Sequence, residues 1–252
     1  MTTWEPADTV IAKAVSAGMW AAGLAWMVPM MALMMGLAVF VEPRRYDWLS
    51  RIYCRGQLLL TGARWRAVVD PAVREDQAYL FAQHHVNLLD HVTLYCATPH
   101  FKQGVELEEH FDIPVYGWFM KSRGTIPVRR GSQGQSQRIM DHMRSEVERG
   151  HSILAFPEGT RTVDGRVGDF RKGTFFIARD LGIPIVPVAV TGMFQVLRKG
   201  SWIMRPGFEV TVFCDAPIQT AGLSDDEIPA LAERVRQVVA DRVDAYWEGR
   251  ST

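Results

Sequence analysis

The sequence predicts an α/β fold, a largely parallel central sheet flanked by helices and preceded by an N-terminal membrane-associated helical segment. Three observations carry that expectation. Short apolar runs alternate with segments of helical period, two of those helical segments stop at a glycine, and residues 14 to 41 contain no charge.

The uncharged run comes first, holding half of the 12 methionines. At ~1.5 Å per residue it makes roughly 42 Å of helix against a hydrocarbon core of about 30 Å. Pro29 stands near its centre. Two forms fit: a tilted and kinked span, or a break at Pro29 into two arms that enter and leave one leaflet. The preceding stretch MTTWEPADTVIAK carries two acids and a lysine, and the run is too long for a secretory leader.

The character then inverts. Arg44, Arg45, Arg51, Arg55, Arg64 and Arg66 share their stretch with one acid, Asp47. In RRYDWLSRIYCRGQLLLTG, Trp48, Ile52, Leu58 and Leu59 can form one helical stripe while Arg51 and Arg55 extend elsewhere, which suits an interfacial helix on anionic headgroups. The arginine excess predicts a main body on the cytoplasmic side of the cell membrane. Residues 1–62 are therefore expected to form a membrane-embedded or kinked-hairpin segment plus a basic amphipathic helix, and residues 63–252 the α/β domain.

WRAVVD, AYLFAQ, SILAF, IPIVPVAV and FEVTVF read as strands. Between them, Ser136 to Arg149 places Ile139, Met140, Met143 and Val147 on one stripe and stops at Gly150, and Lys172 to Leu181 stops at Gly182. Ser224 and Glu227 have capping-box spacing before Ile228, Leu231, Val235, Val239 and Val243, so the chain is expected to end in an amphipathic helix.

Composition narrows the partners. Lys and Arg number 28 and so do Asp and Glu, so no global field draws the chain to nucleic acid, and charged partners must be met by local patches. Cys54, Cys96 and Cys214 are odd in number and widely spaced, which disfavours a disulfide framework and points to a reducing compartment.

Two stretches carry chemistry. AQHHVNLLDH follows the strand AYLFAQ, where a strand exits into a loop and catalytic groups of open α/β sheets gather. Along one helix, His85 and Asp90 would stand about 140° apart, but across a loop leading into a helix the carboxylate can fold back to the imidazole. It then accepts from one ring nitrogen and leaves the other basic enough to take a proton from a hydroxyl. An ordinary polar loop is the plain alternative. A metal is the other, with His84, His85, Asp90 and His91 as donors, but adjacent residues of an extended segment point apart and no second cluster completes a ligand set, so no metal is expected. The second stretch, ILAFPEGTRTVDG, ends a buried-type strand in Glu158, Gly159, Thr160 and Arg161. A close-approach glycine, a hydroxyl and a planar cation together read as an anion site.

With His-x4-Asp followed by FPEGTR, the sequence resembles the glycerolipid acyltransferases, the lysophosphatidic acid acyltransferase family. GTIPVRR (Gly124 to Arg130) and IPIVPVAV (Ile183 to Val190) are similar to that family's second and fourth blocks, and the resemblance runs from about Leu80 to Val190. It implies that His85 is the catalytic base and Asp90 its orienting carboxylate. It further implies that Arg130, Glu158, Gly159, Thr160 and Arg161 bind the phosphate of a lysophospholipid acceptor. The donor is then acyl-CoA or acyl carrier protein, with no cofactor, and membrane lipids are partners.

Departures bear on the acceptor. His84 stands where the family usually has asparagine, Asn87 where it has serine, and Arg129 where an acid is common. Many lysophosphatidic acid acyltransferases carry a lysine where this chain offers Leu107 and Glu108. Lys102, Lys121, Arg129 or Lys172 are candidate substitutes. Otherwise the acceptor is another lysolipid, ornithine-type or from phospholipid remodelling, or the chain is a non-catalytic lipid-binding protein of this fold.

Overall fold

The computed structural model describes residues 9–129 and 136–250. Seven strands form the sheet: β1 (Arg64–Val69), β2 (Leu80–Gln83), β3 (Lys102–Leu107), β4 (Ile126–Val128), β5 (Ser152–Ala155), β6 (Ile185–Thr191) and β7 (Glu209–Cys214). Their order is β1-β7-β6-β2-β5-β3-β4, and every pairing is parallel except β6 with β7. The five predicted strands are all present. β3 and β4 escape the sequence pattern because KQGVEL mixes charges with a glycine and IPV is too short to show a period.

The central strands are continuous apolar runs because both faces are covered; all seven residues of β6 and all four of β2 are buried. On one face Phe81, Leu154, Val186 and Val188 meet α2 (Asp47–Leu60) and α3 (Asp90–Ala97). On the other, Leu80, Ile153 and Ile185 meet α5 (Ser136–Glu148), α6 (Gly173–Asp180) and α8 (Ile228–Glu248). α8 buries Ile228, Leu231, Val235, Val239 and Val243, each worth about 1.5–3 kcal/mol over exposure before entropy is subtracted. Its predicted capping box forms by half: the Ser224 N–H donates to Glu227 Oε2 at 2.8 Å, but the serine hydroxyl also donates to that carboxylate instead of capping a backbone N–H.

α1 (Val10–Ala38) runs as one helix through Pro29, without a break into two arms. It is long and apolar enough to cross a membrane, and only 11% of its apolar window is buried in the protein. α2 returns antiparallel to it: the Trp26 indole donates to Tyr53 O at 3.0 Å and Gln57 Nε2 to Gly23 O at 3.0 Å. Gly56 permits this close crossing, since a Cβ there would stand 2.3 Å from the Trp26 ring nitrogen. The pair is fastened to the domain by buried Arg123, at the end of α4 (Tyr116–Arg123), which donates to Asp47 Oδ1 (2.9 Å), Ser50 Oγ (2.8 Å) and the Tyr95 hydroxyl (2.9 Å). α2 shows Trp48, Ile52, Arg55 and Leu59 outward, while Leu58, expected on the same stripe, is fully buried.

Candidate active site

β2 ends at Gln83, and the chain leaves the sheet between β5 and β6. Residues 85 to 89 then wrap around one carboxylate oxygen. Asp90 Oδ2 accepts from His85 Nδ1 at 2.7 Å, from the Val86 N–H at 2.5 Å and from the Asn87 N–H at 2.9 Å. The carboxylate sits at the first residue of α3, where the helix N-terminus favours negative charge. Asn87 locks the loop, its Oδ1 accepting from the Leu89 N–H at 2.7 Å and its amide donating to Met193 O at 2.9 Å. With Nδ1–H given to Asp90, His85 keeps a lone pair on Nε2. The ring stacks on Phe156 at 4.2 Å and stays partly exposed.

The neighbouring histidines are elsewhere. His84 points into the core, where its Nδ1 accepts from the Val190 N–H at 3.4 Å, and burial pushes its imidazole down to about 4, so it is neutral at physiological pH. His91 is half-buried, and burial lowers its pKa too. Among the described residues no three His, Cys, Asp or Glu side chains converge as a metal site.

The FPEGTR turn holds the base by its backbone. Glu158 Oε1 accepts from the His85 N–H at 3.0 Å, and the Thr162 N–H donates to His85 O at 2.7 Å. Glu158 is 7% exposed, burial pushes its carboxyl up to about 7, and the Gly168 N–H is its other backbone donor. The resemblance implied a substrate contact for Glu158; in the structure its carboxylate bonds this backbone, and Glu158 is not among the residues that line the cavity of His85. Gly159 has φ +67°, and a Cβ there would lie 2.9 Å from the Arg171 guanidinium, so the glycine makes room for that arginine.

His85, Gly159, Thr160 and Arg161 open onto one cavity of about 550 Å³. Arg171 and Lys199 join them, and among the described residues no carboxylate pairs with Arg161, Arg171 or Lys199. Three cations gathered without a paired carboxylate give that wall a positive field that favours negative charge. Glu106, Glu109 and His110 also line the cavity, and Leu80, Val105, Met143, Ile153 and Ile177 add apolar lining. A larger cavity of about 800 Å³, by Lys121 and His142, does not include His85.

Of the substitutes considered for the missing lysine, Lys102 is buried, donates to Thr98 O (3.1 Å) and His100 O (2.7 Å), and is pushed down to about 7 by burial. Lys121 lines the other cavity, and Lys172 lines neither. Arg129 reaches the cavity of His85 but pairs with Glu108 at 2.7 Å. Arg130 lies outside the described residues. Arg171 and Lys199 were not singled out by sequence reasoning; Lys199 stands in no motif and reaches the site only through the fold.

The sequence profile of the Acyltransferase family matches residues 67–191, the span that holds His85, Asp90 and the FPEGTR turn. Residues 67–191 are therefore an acyltransferase-family domain. Over 143 residues it is 33% identical to a chloroplastic 1-acyl-sn-glycerol-3-phosphate acyltransferase of Brassica napus, covering 57% of this chain and 41% of that protein. Over 132 residues it is 30% identical to the 1-acyl-sn-glycerol-3-phosphate acyltransferase of Saccharomyces cerevisiae, covering 51% and 43%. The chain spans about half the length of the curated relatives it matches. The crystal structure of the 1-acyl-sn-glycerophosphate acyltransferase PlsC from Thermotoga maritima shares its fold, with a TM-score of 0.78 at 20% identity over 94% of this chain and 96% of that one.

Proposed function

We propose that this chain is a membrane-associated O-acyltransferase that moves a fatty acyl group from acyl-CoA or acyl carrier protein onto a lysophospholipid hydroxyl, making phosphatidic acid from lysophosphatidic acid. The observation that carries this reading is the His85–Asp90 pair opening onto a cavity walled by Arg161, Arg171 and Lys199.

His85 Nε2 takes the proton of the acceptor hydroxyl as its oxygen attacks the thioester carbonyl, and Asp90 stabilises the imidazolium that forms. The tetrahedral adduct collapses by breaking the carbon–sulfur bond, and the imidazolium returns its proton to the departing thiolate. The acyl group is never attached to the protein. Arg161, Arg171 and Thr160 hold the acceptor's phosphate, Glu158 positions the base through its backbone, and the apolar lining receives hydrocarbon. The step needs no metal or prosthetic group, because Asp90 organises the base. The exposed apolar face of α1, with Trp48, Ile52 and Leu59 beside Arg55, supports membrane association with the site on the cytoplasmic side.

Glu106 and Glu109 in the same cavity favour a second reading, an acceptor that carries an amine as well as an anionic group. One assay separates the two. The purified chain in detergent micelles receives an acyl thioester and a panel of lysolipids, and free thiol is measured. Turnover with lysophosphatidic acid above all others supports the first reading, preference for an amine-bearing lysolipid the second, and thioester binding without turnover removes both.

A further inference from the structure

Lys199 sits on a strap, residues 197 to 208, between α7 (Met193–Val196) and β7. At one end of the strap its ammonium reaches the FPEGTR turn, donating to Thr160 Oγ1 at 3.0 Å and to Arg161 O at 2.9 Å. Both acceptors are neutral. Two of the three ammonium hydrogens are used, and the third remains for a ligand.

The middle of the same strap is fastened to α1. Ser16, fully buried, donates its hydroxyl to Ala12 O one turn back at 2.7 Å and accepts from the Met204 N–H at 3.0 Å. One turn further along, the Trp20 indole donates to Trp202 O at 2.8 Å. A helix with the length and apolarity to enter a membrane thus grips, three to five residues along the chain, the segment that delivers a cation to the anion wall.

We propose that Lys199 is a specificity-determining contact for the phosphate of the acceptor, and that Ser16 and Trp20 are positioning residues that hold the strap carrying it. The proposal rests on the reading of the Arg161 wall as the acceptor's phosphate site. It accounts for the missing lysine at Leu107 and Glu108: the charge is supplied from the strap instead. It also ties acceptor binding to the seating of α1, since a shift of that helix moves the backbone at Trp202 and Met204 and with it Lys199.

The test uses the full chain in mixed micelles at saturating acyl donor, with 1-acylglycerol-3-phosphate and uncharged 1-acylglycerol as acceptors. Lys199→Gln is expected to raise KM for the phosphorylated acceptor about tenfold or more, the loss of one charge-assisted hydrogen bond. Its kcat stays within about twofold, its donor KM and its rate on the uncharged acceptor stay unchanged, and Lys199→Arg restores most of the affinity. Ser16→Ala with Trp20→Phe is expected to raise the same KM when Lys199 is present and to leave it unmoved when Lys199 is already Gln.

A KM within twofold for Lys199→Gln, while Arg161→Ala raises it, overturns the contact. Equal effects of the helix variant in both backgrounds overturn the positioning role. Should the unmodified chain fail to acylate lysophosphatidic acid at all, the proposed function fails separately. Lys199 is then judged by equilibrium binding of lysophosphatidic acid: weaker binding by Lys199→Gln supports the contact, and equal binding overturns it.

Discussion

Replacing Asp90 by Asn tests charge apart from shape. Oδ2 collects three donors, whereas Oδ1 is buried and accepts no hydrogen bond from any described residue. An asparagine can therefore set its oxygen where Oδ2 stands and keep the Val86, Asn87 and His85 bonds, with its amide nitrogen in the place of Oδ1. The loop is retained and the negative charge behind the imidazole is lost. A hydrogen bond to a charged group is worth about 1.5–3 kcal/mol, and general-base catalysis as a whole about 10²–10⁴-fold. The variant should lose between about ten- and several-hundred-fold in kcat with KM for both substrates nearly unchanged. The buried amide N–H₂ costs about 1–3 kcal/mol of stability, a melting shift of several degrees, so rates are compared well below the transition. Steady-state thiol release with a phosphatidic acid product count is the assay. A kcat within threefold of the unmodified chain, with the fold intact by circular dichroism, would refute the claim that Asp90 acts by its charge on His85.

Three further outcomes follow from the same geometry. His84→Asn should keep activity within about threefold, because His84 is neutral and makes one long bond to the Val190 N–H; a loss beyond tenfold in thiol release would give it a role in proton transfer. Glu158 has its carboxyl raised to about 7 from 4.5, so the stability it contributes is full below pH 4.5 and is lost as pH rises through 7. Between pH 5 and pH 8 the unmodified chain should lose about 2.5 kcal/mol more in denaturant titrations than Glu158→Gln does, and parallel curves would show that Glu158 is not held protonated by burial. Arg161→Ala should raise KM for an anionic acceptor more than for the acyl donor, and equal effects in the two titrations would remove its assignment to phosphate.

Much of this arrangement is legible in the sequence because it is local or strongly patterned. β2, β5 and β6 show as apolar runs since both of their faces are covered, and α8 shows its buried stripe at helical spacing. The pairing of His85 with Asp90 is encoded by five residues of loop ending at a helix start. Polar β3 is hidden because its partner strands, not its own pattern, make it a strand. Leu58 and Leu59 are indistinguishable by type, and only the packing of α1 and α3 on α2 decides which is buried. Glu158 stands in a motif read as an anion site, and its bond to the His85 N–H is visible only once β2 and β5 lie side by side. Lys199 is 39 residues from Thr160, and the strap that joins them is placed by contacts with α1 that leave no local pattern.

The most direct test of the central claim is acyl transfer by His85→Ala. In mixed micelles with acyl thioester and lysophosphatidic acid, the unmodified chain should release thiol and form phosphatidic acid in equal amounts. The variant should be slower by about 10²-fold or more while still binding lysophosphatidic acid with near-normal affinity. Full transfer by His85→Ala would contradict the account.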